Sequence, residues 1–315
     1  MNDFYGIEPG AYSTPKEWGA QLASFGPHTG RYVLVLPGYK VWSEAVLSHS
    51  GVGDLERERI RTILRRAFGH SPFLERPLDR WPITESWLEN AIRYWRAADS
   101  KHKFIYVHEE CFSNFIENRS DDCKILSSAD IFLPSSPADE EIDTQPEDYW
   151  KVSQWLCQIS AEIHFIDPYF NPVAGVDVCK VFFHYVEKIA RLKKPIDVHF
   201  WVRCRERERD AGDGLQKTSR EVEMLIREAA KGGRSGLRFH FHWVRDDTSR
   251  DKLHARYLLT DKGGIQFDQG FQVLRPSGKR NMVSPVGLDL HRELFERFTG
   301  GKNTFDVEKT IKVVV

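Results

Sequence analysis

Asp251-Lys252-Leu253-His254-Ala255-Arg256-Tyr257-Leu258-Leu259-Thr260-Asp261 is the stretch of this chain whose residue types and spacing suit a chemical role. His254 and Arg256 stand two apart, so on an extended strand both side chains leave the same face. An imidazole that can act as nucleophile or acid–base group then lies beside a permanent cation able to grip two phosphate oxygens. Asp261 follows where Leu258 and Leu259 run out and Lys262-Gly263-Gly264 make a turn, which places a carboxylate at the end of the same strand. A lone His-x-Arg is commonly just a half-buried polar pair. The aspartate, the glycine turn and a second segment, Ile166-Asp167-Pro168-Tyr169-Phe170, single this one out.

The elements that must position these groups follow residue 145. A helix over 148–160 leads into EIHFIDPYF, a strand stopped by Asp167 and Pro168. Val178, Val181, Phe182, Tyr185, Val186 and Ile189 mark one face of the next helix, and IDVHFWVR follows as a strand. Thr218 and Glu221 stand at capping-box spacing and open a helix whose buried stripe is Val222, Leu225, Ile226 and Ala229. Gly232, Gly233 and Gly236 end it, and LRFHFHWV, LHARYLLT and GIQFDQGF read as successive strands. This order predicts an α/β fold, a mixed β-sheet flanked by helices, with sites at the carboxyl ends of its strands.

Arg203, Arg245 and Lys252 fall at strand ends or beside the motif, and with Arg256 they form a candidate phosphate-binding rim. Between Trp201 and Tyr257, 14 Lys and Arg stand against 10 Asp and Glu, so local charge supports such a rim only modestly. Asp167 either contacts the site or merely ends a strand as an Asp-Pro pair. Tyr169 either stacks on a base or sugar or packs in the core. His240 and His242 alternate along their strand and read as satisfied sheet histidines.

The spacing resembles the HxKx4D signature of the phospholipase D superfamily, which includes nucleases, lipases and phosphatidyl-transferring enzymes. His254 and Asp261 match it, with Arg256 where the family has lysine. The family's later Gly-Ser-x-Asn portion is not kept; Asp268, Gln269 and Gly270 occupy that neighbourhood. IDPYF resembles a strand end that borders the site in many single-motif members. The resemblance spans roughly residues 148–315. It implies a phospholipase D-like domain over 146–315, beside a separate α/β N-terminal domain over 1–145. It also implies that one histidine attacks phosphorus to give a phosphohistidine while another protonates the leaving oxygen, with no metal or other cofactor. His254 is then nucleophile or general acid, Arg256 the phosphate clamp and Asp261 the orienting partner. Asp167, Tyr169, Arg203, Arg245, Lys252 and Gln269 are candidate substrate contacts.

The chemistry needs two imidazoles, and the sequence supplies one such motif. The resemblance therefore implies a homodimer through the C-terminal domain, or an N-terminal half that has lost its motif. The first functional reading is a metal-independent phosphodiesterase or nuclease acting on DNA or RNA, in a restriction or defence setting. The second is a catalytically weak subunit that binds nucleic acid or a partner protein in a larger assembly, favoured by Arg256 and the eroded Gly-Ser-x-Asn segment. A lipid-hydrolysing or phosphatidyl-transferring enzyme ranks third.

Composition limits the partners. With 45 Lys and Arg against 46 Asp and Glu there is no global basic field, so phosphate affinity has to come from a local patch. MNDFYGIEPG lacks a basic-then-apolar leader, and no apolar run approaches the roughly 20 residues that cross a bilayer, so the expectation is a soluble, cytoplasmic chain without membrane contact. Cys111, Cys123, Cys157, Cys179 and Cys204 form no CxxC pair, which argues against a structural zinc site and for reduced thiols. LPSSPADEEIDTQPE, residues 133–147, is rich in Pro, Ser and acid and predicts a solvated linker, with the domain boundary near 145. Upstream, some 30 loop-like residues precede the buried strand RYVLVLPGY, helices over 55–68 and 85–98, and the strand KFIYVHEE. Arg57, Arg59, Arg61, Arg65 and Arg66 are interleaved with acids and read as a solvated helix face.

Overall fold

The computed structural model describes residues 3–26, 29, 31–49, 51–70, 73–75, 86–97, 103–108, 124–127, 139–173, 176–192, 194–204, 214–233, 236–274, 279–299 and 305–315. The chain divides into two compact units, Met1–Ala138 and Asp139–Val315.

The first unit contains strands β1 (Asp3–Ile7), β2 (Arg31–Val35), β3 (Phe73–Glu75), β4 (Lys103–Val107) and β5 (Lys124–Ser127). They form one parallel sheet in the order β3-β2-β1-β4-β5. Its helices are α1 (Pro15–Leu22), α2 (Tyr39–His49), α3 (Asp54–His70) and α4 (Trp87–Ala97). Every residue of β2 is buried, as expected where helices cover both faces of a parallel sheet. The opening residues are not a loop: β1 is the central strand and α1 follows it. A signal for α1 was present in Thr14-Pro15-Lys16-Glu17. The Glu17 amide donates to the Thr14 hydroxyl at 3.3 Å, the Thr14 amide donates to the Glu17 carboxylate at 2.9 Å, and Pro15 opens the first turn. On α3, Arg57 pairs with Asp54 and Arg61 with Glu58, as a solvated face should.

The second unit carries the α/β pattern expected downstream of 145. Its strands are β6 (Glu140–Asp143), β7 (Glu162–Ile166), β8 (Asp197–Arg203), β9 (Arg238–Arg245), β10 (Tyr257–Thr260), β11 (Gly264–Phe267), β12 (Arg280–Pro285) and β13 (Asp306–Val314). The helices are α5 (Pro146–Ile159), α6 (Val176–Ala190), α7 (Gly214–Ala229) and α8 (Leu288–Thr299). The mixed sheet runs β13-β9-β8-β7-β10-β11-β12-β6. β7, β8 and β9 are parallel, and the remaining pairs are antiparallel.

Three expectations need correction. Residues 140–143 of the supposed linker are β6, the sheet's edge strand, with Ile142 its buried residue, Glu141 and Asp143 exposed and Glu140 half-buried; residues 133–138 lie outside the described residues. α7 starts a turn earlier than its capping pattern suggests. Thr218 lies inside it and donates its hydroxyl back to the Gly214 carbonyl at 2.9 Å, so it is no cap. β10 begins only at Tyr257, so His254 and Arg256 precede the strand and the same-face expectation does not hold for them.

Strand alternation gives the central sheet two contrasting faces. Register aligns Phe165, Phe200 and Phe241 across β7, β8 and β9, and their rings stack at 4.8 and 5.7 Å. Phe182 and Tyr185 of α6 pack against that ladder. One residue earlier on each strand, the same register aligns His164, His199 and His240 on the opposite face. Phe295 and Phe298 of α8 cover part of that second face.

Candidate functional site

The carboxyl ends of β7, β8 and β9 converge on a small charged cluster. Asp167 follows β7 directly and is 4% exposed. Its carboxylate accepts from the Tyr169 amide at 2.9 Å and the Phe271 amide at 3.1 Å, and Arg256 Nε lies 3.9 Å away. Burial pushes its pKa above the ordinary carboxylate value, against the pull of those two amides and of Arg256. Asp167 is therefore more than the end of a strand: it ties the β7 turn, the Gly270-Phe271 turn and Arg256 together.

Arg256 also donates through Nη1 to the Asp268 carbonyl at 2.8 Å. Tyr169 is 52% exposed and lies near two guanidinium groups, Arg203 at 5.4 Å and Arg256 at 5.3 Å from its ring centre. This removes the core-packing alternative for Tyr169. Arg203, last on β8, reaches Asp246 at 2.5 Å and donates to the Leu253 carbonyl at 3.2 Å. Lys252 donates to the backbone carbonyl of Asp246. Gln269 is exposed; its amide side chain donates to Asp268 and its backbone N–H donates to Asn281. His254 stands in the chain between Leu253, whose carbonyl Arg203 holds, and Arg256; it is exposed, and its imidazole has no partner among the described residues.

Two expected site residues lie elsewhere. β10 runs antiparallel to β7, with Tyr257 opposite Ile166 and Thr260 opposite Ile163, so Asp261 emerges at the other end of the sheet. At about 3.3 Å per residue it stands roughly 16 Å along the chain from Arg256. Its carboxylate accepts from the Ala161 amide at 3.0 Å and the Glu162 amide at 3.3 Å, and Lys262 lies 3.3 Å away. It anchors the start of β7 and does not orient His254. Arg245 leaves the opposite face of β9 from His242 and lies within 3.9 Å of Asp247, Asp306 and Glu308, away from the rim.

Sequence reasoning missed how far the second face of the sheet is organised. Glu162, His164 and His199 offer ligand-type atoms within 4.8 Å of one another. The indole N–H of Trp201 can only donate, and it meets His164 Nδ1 at 3.0 Å. His164 Nδ1 therefore holds a lone pair, and Nε2 carries the proton given to Glu162 at 2.9 Å. A ligating histidine has the reverse arrangement, donating outward from the nitrogen that does not bind metal. The rings of His164 and His199 are also parallel within 8°, so their lone pairs run side by side and do not converge. The trio is built as a hydrogen-bonded stack. It continues from His199 to His242 at 3.1 Å and on to Thr310 at 2.9 Å.

This stack makes the second unit acid-sensitive. Burial, then the neighbouring imidazoles, hold His199 down to about 2 and His242 down to about 3. The unfolded chain takes up protons near pH 6.5 while both folded residues stay neutral, so unfolding absorbs protons. Stability is then greatest above about pH 6.5 and falls as pH drops towards 3, by roughly 1.4 kcal/mol per pH unit for each histidine. Urea titrations at pH 7, 6 and 5 should show the fall, and His199→Gln should flatten it by about one proton's worth. An unchanged slope in that variant would place the acid sensitivity elsewhere.

Compared with known proteins, the sequence matches no protein-family model and no curated protein. Among the described residues no helix is long and apolar enough to cross a membrane.

Proposed function

We propose that the second unit is a phospholipase D-like phosphodiesterase acting on nucleic acid, with His254 as nucleophile. The observation that carries this reading is an exposed, unpartnered His254 directly after Leu253, whose carbonyl Arg203 holds, and two residues before Arg256, which lies beside buried Asp167 and the Tyr169 ring at the carboxyl end of a mixed sheet. The His254 lone pair attacks phosphorus, the bond to the leaving oxygen breaks, and a second imidazole gives that oxygen its proton. Water then attacks phosphorus, the P–N bond breaks, and the second imidazole takes a proton from the water. The products are a phosphomonoester and an alcohol. Arg256 offsets charge on the non-bridging oxygens, and the half-exposed ring of Tyr169 offers a base a stacking surface. That surface favours nucleic acid over lipid.

The second imidazole must come from outside this unit. His164 is bound to Trp201 and Glu162, His199 to His242 and His242 to Thr310, and His240 lies 3.6 Å from Asp197; His184 pairs with Glu147, and His291 meets the Thr260 carbonyl. A second copy that brings its own His254 into the same site supplies it. One observation favours the alternative, a binding subunit of a larger assembly: the Arg256 guanidinium already holds the Asp268 carbonyl and lies beside Asp167.

The test is cleavage of end-labelled single- and double-stranded DNA and RNA in excess EDTA. Chelator-resistant cleavage is expected. Cleavage that EDTA abolishes defeats the histidine mechanism, and retained binding with no cleavage of any substrate transfers the reading to the binding subunit.

A further inference from the structure

We propose that Asp246 and Arg203 are positioning residues that hold the His254 backbone from behind, and that Arg203 serves the site in this way and not as a phosphate contact. The proposal rests on the reading of His254 as the nucleophile.

His254 has no side-chain partner, so its aim depends on its backbone. The peptide before it is held on three sides. The Leu253 amide donates to Asp246 Oδ1 at 3.2 Å, and the Leu253 carbonyl accepts from Arg203 Nη2 at 3.2 Å. The Leu253 side chain is 2% exposed, in an apolar cluster with Trp201, Val244 and Phe305. The two polar grips are linked to each other, since Arg203 Nε lies 2.5 Å from Asp246 Oδ2.

The other side of His254 is fixed as well. The Arg256 carbonyl accepts from the Phe267 amide at 2.9 Å, and the Arg256 side chain holds the Asp268 carbonyl. His254 thus hangs between two anchored points only three residues apart. An ion pair that closes around a neighbouring peptide fixes the nucleophile's direction while leaving its imidazole free to meet phosphorus. Strand alternation explains why these residues meet. Arg203 on β8 and Asp246 just past β9 fall on the same face of adjacent parallel strands, where Arg203 pairs with Val244 in register.

The test uses the full chain carrying Asp246→Ala, Arg203→Ala, the double variant, and the milder Asp246→Asn and Arg203→Lys. Hydrogen exchange at the Leu253 amide and the NMR signal of the His254 ring are read beside kcat and KM. Each alanine variant is expected to expose the Leu253 amide to exchange at least about tenfold faster and to broaden or split the ring signal. It should lower kcat on the order of 100-fold with KM nearly constant. The double variant should be no worse than the poorer single one, because both remove one device. Arg203→Lys should recover part of kcat, since its ammonium can still pair with Asp246.

A rise in KM with unchanged exchange and ring signal would overturn the proposal and make Arg203 a phosphate contact. Asp246→Asn and Arg203→Lys carry the same test should an alanine variant fail to fold. Absence of cleavage by the unmodified chain would defeat the nucleophile reading, while the amide and ring signals would still decide whether Asp246 and Arg203 hold Leu253.

Discussion

His254→Ala is expected to lower chelator-resistant phosphodiester cleavage by about four orders of magnitude or more, because loss of a covalent nucleophile removes the reaction's first step. Stability should hardly change. The side chain is exposed and has no partner among the described residues, and surface substitutions of that kind usually stay within about 0.5 kcal/mol. That combination separates a chemical role from a structural one: a fall in rate accompanied by a fall in melting temperature would point to a loop that needs the ring for packing. A mixing experiment carries the prediction to the second imidazole. If each site needs His254 from two copies, fully exchanged equal mixtures of native and His254→Ala chains should retain about a quarter of the native activity. If each chain works alone, about half should remain. Full activity in His254→Ala would move the chemistry to another residue altogether.

The helices and strands of the second unit were legible because their apolar residues repeat with clear periods. Val181, Phe182, Tyr185, Val186 and Ile189 are all buried on α6, and β7 and β8 carry the expected burial. Asp167, Tyr169, Arg203 and Arg256 were found by residue type at strand ends, and the fold does bring them together. Their roles were less visible, because each is set by a residue far away in the chain. Asp167 meets the Phe271 amide 104 positions on, and Arg203 meets Leu253 50 positions on. Asp246 and Gly270 were missed for the same reason.

Asp261 shows a sharper limit. Its spacing from His254 fits the family pattern, but antiparallel pairing with β7 carries it to the opposite end of the sheet, where it caps the amides of Ala161 and Glu162. Spacing along one strand gives separation, while the use of a side chain depends on the neighbouring strand. The histidine row follows the same logic. Glu162 and His164, Asp197 and His199, and His240 and His242 each show a period of two, which was readable strand by strand. That the strands adjoin and place three of those histidines in one line is a property of register.

Gly270→Ala is expected to be the most damaging small substitution in the site, costing about 3–5 kcal/mol and abolishing activity. Gly270 has a φ of +75°, a left-handed conformation that costs an L-residue roughly 1–2 kcal/mol. A Cβ there would also stand 2.3 Å from Asp167 Oδ2, 2.9 Å from Arg256 Cδ and 3.2 Å from Arg256 Nε. The turn has little room to yield. The Gly270 carbonyl accepts from Asn281 at 3.0 Å and from the Tyr149 hydroxyl at 3.0 Å, and the next amide is bound to Asp167. Either the buried carboxylate moves, releasing Arg256 and the Tyr169 turn, or the backbone lets go of Asn281 and Tyr149. Gly232 and Gly236 provide the control, with φ of +78° and +97° and nothing within 4 Å of the added atom. Gly232→Ala and Gly236→Ala should cost only the conformational part, about 1–2 kcal/mol, and leave cleavage intact. Urea unfolding of the three variants, followed by hydrogen exchange in β7 and β10, separates the two terms. Equal losses in all three would mean that the close approach of Gly270 to Asp167 and Arg256 contributes nothing, and that the site tolerates a looser turn than its hydrogen bonds imply.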